Sequence, residues 1–65
     1  MQVIEQVELA GGKVVATIFE AATSSDPDRV RLIVESGGTK ASRFFKGEMS
    51  HLDAMRYAED IALSI

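Results

Sequence analysis

Two Gly-Gly pairs constrain the fold of this 65-residue chain most strongly, since each lies between runs rich in Val, Ile and Phe. Gly residues readily adopt the positive φ angles that a two-residue type I′ turn requires. Gly11-Gly12 and Gly37-Gly38 therefore predict two β-hairpins, each with a two-residue loop. Turn position determines register, so residues such as Leu9 and Val14 are expected to lie opposite each other.

The expected fold class is α+β: an antiparallel sheet of two β-hairpins with one C-terminal helix packed on one face, in ββββα order. Strands are predicted near residues 3–9, 14–21, 30–35 and 40–45. The helix is expected to have Ser50 as its N-cap and Asp53 as capping-box partner, and then to continue to the C-terminus. Its sheet-facing side is predicted to carry Ala54, Met55, Ala58, Ile61, Ala62 and Ile65. We expect a single domain over residues 1–65.

Alternation along the strands predicts two unlike sheet faces. Counting from the Gly turns pairs Glu5 with Ile18 and Ile4 with Phe19. The face expected under the helix carries Val3, Val7, Leu9, Val14, Ala16, Ile18, Val30, Leu32, Val34, Ala41 and Phe45.

The face away from the helix is expected to be polar, yet it carries Ile4, Val15, Phe19, Ile33 and Phe44 among its polar residues. Leu52 and Leu63 fall on the outer side of the helix, eleven residues apart. Scattered apolar residues are ordinary on a protein surface, but a grouped set is typical of a partner site. These seven residues are the predicted protein interface, and the predicted partner is a second copy of the chain.

Composition argues against catalysis and bound cofactors. The chain has no Cys and one His, so it offers neither a disulfide nor a thiolate metal site. Neither Gly pair matches a phosphate-binding loop, and no nucleophile lies beside a base. His51 is expected in the first helical turn, near the core. We therefore expect no enzyme, no cofactor and no metal. Without a basic leader or a long apolar run, we also expect no signal peptide, no membrane contact and a cytoplasmic location.

Charge is unevenly distributed along the chain. The net charge is −3, with seven Lys and Arg against ten Asp and Glu. Residues 29–46 are basic nonetheless, and their cations are candidate nucleic-acid contacts: Arg29, Arg31, Lys40, Arg43 and Lys46. The alternative is local pairing, with Arg31 stacked on Phe44 and Lys40 paired with Glu35.

Part of the chain resembles short bacterial and phage domains of unknown function. The resemblance covers residues 30–62 and lies in Gly38-Thr39-Lys40-Ala41-Ser42-Arg43-Phe44, followed by Ala54, Ala58 and Ala62. The order of strands and helix is also similar to the arm-type DNA-binding domains of phage integrases. That second resemblance implies a sheet whose uncovered face enters the major groove, whereas this chain is acidic and has apolar residues on that face.

Two functions follow from these patterns. The first is a small non-catalytic binding module that acts through protein contacts, as a homodimer or as an inhibitor or adaptor of a larger partner, such as a phage or mobile-element accessory protein. The alternative is a nucleic-acid-binding module that uses the basic hairpin at residues 29–46.

Overall fold

Four antiparallel strands and one helix make up the computed structural model, which describes residues 2–65. The strands are β1 (Val3–Leu9), β2 (Val14–Glu20), β3 (Val30–Ser36) and β4 (Thr39–Phe45), and the helix α1 spans Ser50–Leu63. The strands form one sheet in the order β1-β2-β3-β4, and α1 packs on one face of it. The predicted ββββα fold is confirmed.

The second hairpin has the predicted two-residue turn. Ser36 lies opposite Thr39 in the β3–β4 pair. Gly37 and Gly38 have φ angles of 56° and 80°, as both central residues of a type I′ turn require. The register counted from this turn, with Val30 opposite Phe45, is confirmed.

The first hairpin has a longer loop than predicted. Leu9 lies opposite Val14, as expected, but four residues separate them, and Ala10–Gly12 form a short 3₁₀ turn. Ala10, Gly11 and Gly12 all have positive φ, at 52°, 67° and 88°. Gly11 and Gly12 lie at the centre of the turn as predicted, and the Lys13 N–H donates to the Ala10 carbonyl at 3.3 Å, but the strand pairing ends one pair earlier than a two-residue loop requires, at Leu9 and Val14.

A β-bulge near the start of β1 changes one predicted pair. Glu5 lies opposite Ile18 as expected, but the next pair is Val3 with Phe19, so Ile4 is an extra residue between the two pairs. The predicted Ile4–Phe19 pair is therefore wrong. Val3 was expected under the helix, but its pairing with Phe19 places it on the opposite face, where it is half-exposed.

The core lies between α1 and the inner strands. Ile18, Leu32 and Val14 are the largest fully buried side chains, and Ala54 and Ala58 of the helix are completely buried against the sheet. Small side chains at these two positions let α1 approach the strands closely, and it contacts β2, β3 and β4. Ile65 was expected on this side of the helix, but it lies beyond the last helical turn and is largely exposed.

The helix begins differently from the prediction. Its N-cap is Met49, which makes no side-chain capping bond, and Ser50 is the first helical residue. The Ser50 hydroxyl is buried and donates a hydrogen bond to the Asp28 carbonyl at 2.5 Å. The predicted Ser50 N-cap is wrong because this hydroxyl ties the helix to the loop before β3.

We predict that Ala58→Leu destabilises the fold by about 1–3 kcal/mol, since added methyl groups in a filled helix–sheet contact force strained side chains or backbone shifts. Chemical denaturation followed by circular dichroism measures the free energy of unfolding. Arg56→Leu is the control, since Arg56 is exposed on the same helix and Leu and Arg have similar helix propensities. Equal stability of the two variants would contradict the close helix–sheet contact.

A second prediction concerns the first loop. Ala10→Gly should stabilise the chain by about 0.5–1 kcal/mol, because Ala10 has the left-handed backbone conformation that disfavours any residue with a Cβ. Ala22→Gly is the matched control, since Ala22 is exposed in another loop and is not among the residues with positive φ. Gly at position 22 should destabilise slightly through unfolded-state entropy. Loss of stability in Ala10→Gly, measured by the same denaturation, would contradict the described loop.

Candidate functional site

The helix packs on one face of the sheet and leaves the opposite face uncovered. The side chains of this uncovered face form three rows across the four strands, and we call these twelve residues the open face. From β1 to β4 the rows are Val3, Phe19, Arg31 and Phe44; then Gln6, Thr17, Ile33 and Ser42; then Glu8, Val15, Glu35 and Lys40.

The inner strands form an apolar centre on the open face. Thr17 is 5% exposed although the helix lies on the other side, and its hydroxyl accepts a hydrogen bond from Gln6 Nε2 at 2.9 Å. Val15, Phe19 and Ile33 are partly buried around it. These side chains shield one another, so the centre of the open face is already largely desolvated before any partner binds.

The predicted interface residues fall into two groups on opposite sides of the molecule. Val15, Phe19, Ile33 and Phe44 lie on the open face, and Ile4 is an exposed residue at the bulge of β1. Leu52 and Leu63 lie on α1, turned by about 160–180° from the buried Ala54 at 100° per residue. They are exposed, Leu63 by 84%, and belong to a separate surface.

Two arginines flank Phe44 at one end of the open face. The guanidinium of Arg29 lies 4.4 Å from the centre of the Phe44 ring, and that of Arg31 lies 5.8 Å from it. Arg31 Nε also donates a hydrogen bond to Ser42 Oγ at 2.8 Å. Arg29 Nε donates to the Ala21 carbonyl at the same distance. The expected Arg31–Phe44 stack is confirmed, and both cations are held by the protein itself.

The other three candidate nucleic-acid contacts lie apart from this pair. Lys40 is at the far end of the open face, where its Nζ lies 3.9 Å from Glu35 Oε1, as expected. Arg43 lies on the helix side of the sheet, opposite Leu32, and Lys46 follows the end of β4. The sheet thus separates Arg43 from Arg31 and Lys40, and the five cations do not share one surface.

An aromatic pair on the helix side explains the position of Arg43. The guanidinium of Arg43 lies 4.8 Å from the Tyr57 ring centre and 5.2 Å from that of Phe45, and the two rings are 5.7 Å apart. Sequence reasoning missed Tyr57. Helical spacing could have identified it, because residue 57 lies three positions after the buried Ala54 and therefore on the same side of the helix.

The single histidine forms one close contact with a carboxylate. Among residues 2–65, no three His, Cys, Asp or Glu side chains converge as a metal site would require. The predicted position of His51 in the first helical turn is confirmed. Its Nε2 lies 2.6 Å from Glu5 Oε1, and both side chains are exposed. This pair links α1 to β1 through a surface contact.

A groove of about 420 Å³ lies between the first loop and the C-terminal end of α1. Its lining residues are Leu9, Ala10, Glu59, Asp60, Ala62 and Leu63. They include two neighbouring carboxylates, Glu59 and Asp60, and no histidine, serine or cysteine.

The chain matches no family model, no curated protein and no solved structure. The only helix in residues 2–65, α1, has fourteen residues, too few to cross a membrane.

Proposed function

We propose that this chain is a non-catalytic binding module that acts through protein contacts, and that the open face binds a second copy of the chain. The observation that carries the proposal is the grouping of Val15, Phe19, Ile33 and Phe44 on the face opposite the helix. A group of apolar side chains on a sheet face that no helix covers is typical of partner sites, and Phe44 is half-exposed there. Burial of apolar surface contributes about 25 cal/mol per Å² and would supplement the core of a chain this short.

The dimensions of the face indicate a weak dimer. Seven-residue strands are about 23 Å long, and four of them span about 19 Å, so the face measures about 440 Å². Stable interfaces bury about 800 Å² per partner. A contact limited to the open face should therefore be reversible at micromolar or higher concentration.

Protein contact can take a second form, in which the same face docks this chain as an inhibitor or adaptor on a larger protein. We favour the second copy because the open face carries both charge signs, Glu8 and Glu35 with Arg31 and Lys40. A charged surface that pairs with itself is favoured when it carries both signs, since like charges facing each other are destabilising. The lack of Cys suits a reducing compartment, and we propose a cytoplasmic location.

We predict that Phe19→Asp shifts the native dimer to folded monomer, because it places an unpaired charge in the apolar centre of the contact. Sedimentation equilibrium over a range of protein concentrations measures association, and circular dichroism verifies folding. Ile33→Thr is a milder second variant that keeps the β-branched shape and should weaken association in the same direction.

Leu63→Asp is the control for this experiment, because Leu63 is exposed on the outer side of the helix. It should leave association unchanged. Dissociation by Leu63→Asp alone would move the interface to the helix and contradict the proposal. A native chain that stays monomeric at millimolar concentration would contradict self-association altogether and leave the face to a larger partner.

Nucleic-acid binding is the second candidate function, supported by the two arginines beside Phe44. Cations can bind phosphates while an aromatic ring stacks on a base. Two observations weigh against it: Lys40 is paired with Glu35, and Arg43 lies across the sheet.

Fluorescence anisotropy with labelled duplex and single-stranded DNA at 50 and 200 mM salt tests this alternative. We expect no binding at either salt concentration. Binding that falls steeply with salt, and that Arg29→Gln weakens, would favour the nucleic-acid function, since each neutralised phosphate contributes about −0.9 to the log–log slope.

A further inference from the structure

We infer that two copies pack open face to open face about a two-fold axis that runs across the strands, along the middle row of the open face. This inference rests on the proposed function, because it requires the open face to be the contact between copies. It goes further by specifying the orientation of the partner and the residues that face one another. The evidence is the order of charged and apolar side chains along the two inner strands, β2 and β3.

The open-face side chains of β3 are complementary to themselves when the strand is reversed. They read Arg31, Ile33, Glu35: a cation, an apolar residue and an anion at equal spacing. A two-fold axis through the middle row places each strand over its own copy in the opposite direction. Arg31 then faces the partner's Glu35, Ile33 faces the partner's Ile33, and on β2 Phe19 faces the partner's Val15.

Side-chain direction agrees with this arrangement. Arg31 reaches from β3 toward β4, where it donates to Ser42 and lies over the Phe44 ring. Glu35 also reaches toward β4, where it lies beside Lys40. Because the axis stacks β4 on its own copy, the guanidinium of one chain and the carboxylate of the other come to the same side of the contact. Both charged side chains therefore lean to the β4 side of β3, where the contact between the two copies would bring them together.

The other in-plane axis, along the strands, gives poorer matches at the centre. It would place Phe19 over the partner's Arg31 and Val15 over the partner's Glu35. Both apolar residues would then face charged side chains. Packed sheets are rotated by about 30°, and this displaces residues at the corners more than those near the centre. The inner strands therefore decide the orientation, and they favour the axis across the strands.

A charge-swap experiment tests the orientation. The dimer dissociation constant is measured by sedimentation equilibrium for the native chain, Arg31→Glu, Glu35→Arg and the double variant Arg31→Glu/Glu35→Arg. Each single variant sets like charges against each other twice in the dimer, and we expect it to weaken association at least about tenfold. The double variant restores opposite charges and should return to within about threefold of native affinity.

Recovery in the double variant would come from contacts between the chains. The two positions are four residues apart on one strand, about 13 Å, which is too far for an ion pair within a chain. Circular dichroism verifies that each variant is folded. The comparison pair is Glu8→Lys with Lys40→Glu, because the axis along the strands would place Glu8 over the partner's Lys40.

The outcomes distinguish a wrong orientation of the two copies from a lack of self-association. Rescue by the Arg31 and Glu35 swap, without rescue by the Glu8 and Lys40 swap, supports the axis across the strands. Rescue by the second swap alone, or dimerisation that neither swap affects, overturns the inferred orientation but leaves self-association intact. A monomeric native chain overturns both the inference and the proposed function.

Discussion

A single fourteen-residue helix can cover only one face of a four-stranded sheet, and the other surface properties of this protein follow from that constraint. At 1.5 Å per residue the helix is about 21 Å long, and its diameter of about 10 Å spans little more than two strands. Its buried alanines, Ala54 and Ala58, bring it close to β2 and β3, where the largest core side chains lie. From β1 only the partly buried Val7 and Leu9 pack against this core, and the open face lies on the other side of the sheet.

Much of the fold was predictable because the turn residues and the apolar alternation along the strands indicate the same hairpins. Alternating apolar residues and two Gly pairs predict both hairpins, and the structure confirms their registers next to the turns. Three details were not predictable from those rules. The bulge at Ile4 breaks the alternation without a Gly or Pro to mark it, Ala10 adopts a conformation that Ala seldom does, and Ser50 bonds to a loop that is distant in sequence.

The candidate site was predictable only where strand alternation decides it. Alternation correctly groups Val15, Phe19, Ile33 and Phe44 on one face. It cannot place Arg29 or Lys46 relative to this face, because both lie outside the strands. Arg29 reaches Phe44 from the loop before β3. The two proposed functions also compete, since face-to-face packing would cover the Phe44 ring and the Arg31 guanidinium that a nucleic acid would need.

Contact between two copies through the open face is the central claim, and isotope-filtered NMR on a mixed sample tests it most directly. One half of the chains carries ¹³C and ¹⁵N and the other half is unlabelled, so the observed nuclear Overhauser effects arise between copies. Face-to-face packing predicts intermolecular effects between Phe19 and Val15 and between the two Ile33 side chains. Intermolecular effects from Leu52 or Leu63 instead, or none at millimolar concentration, would contradict it.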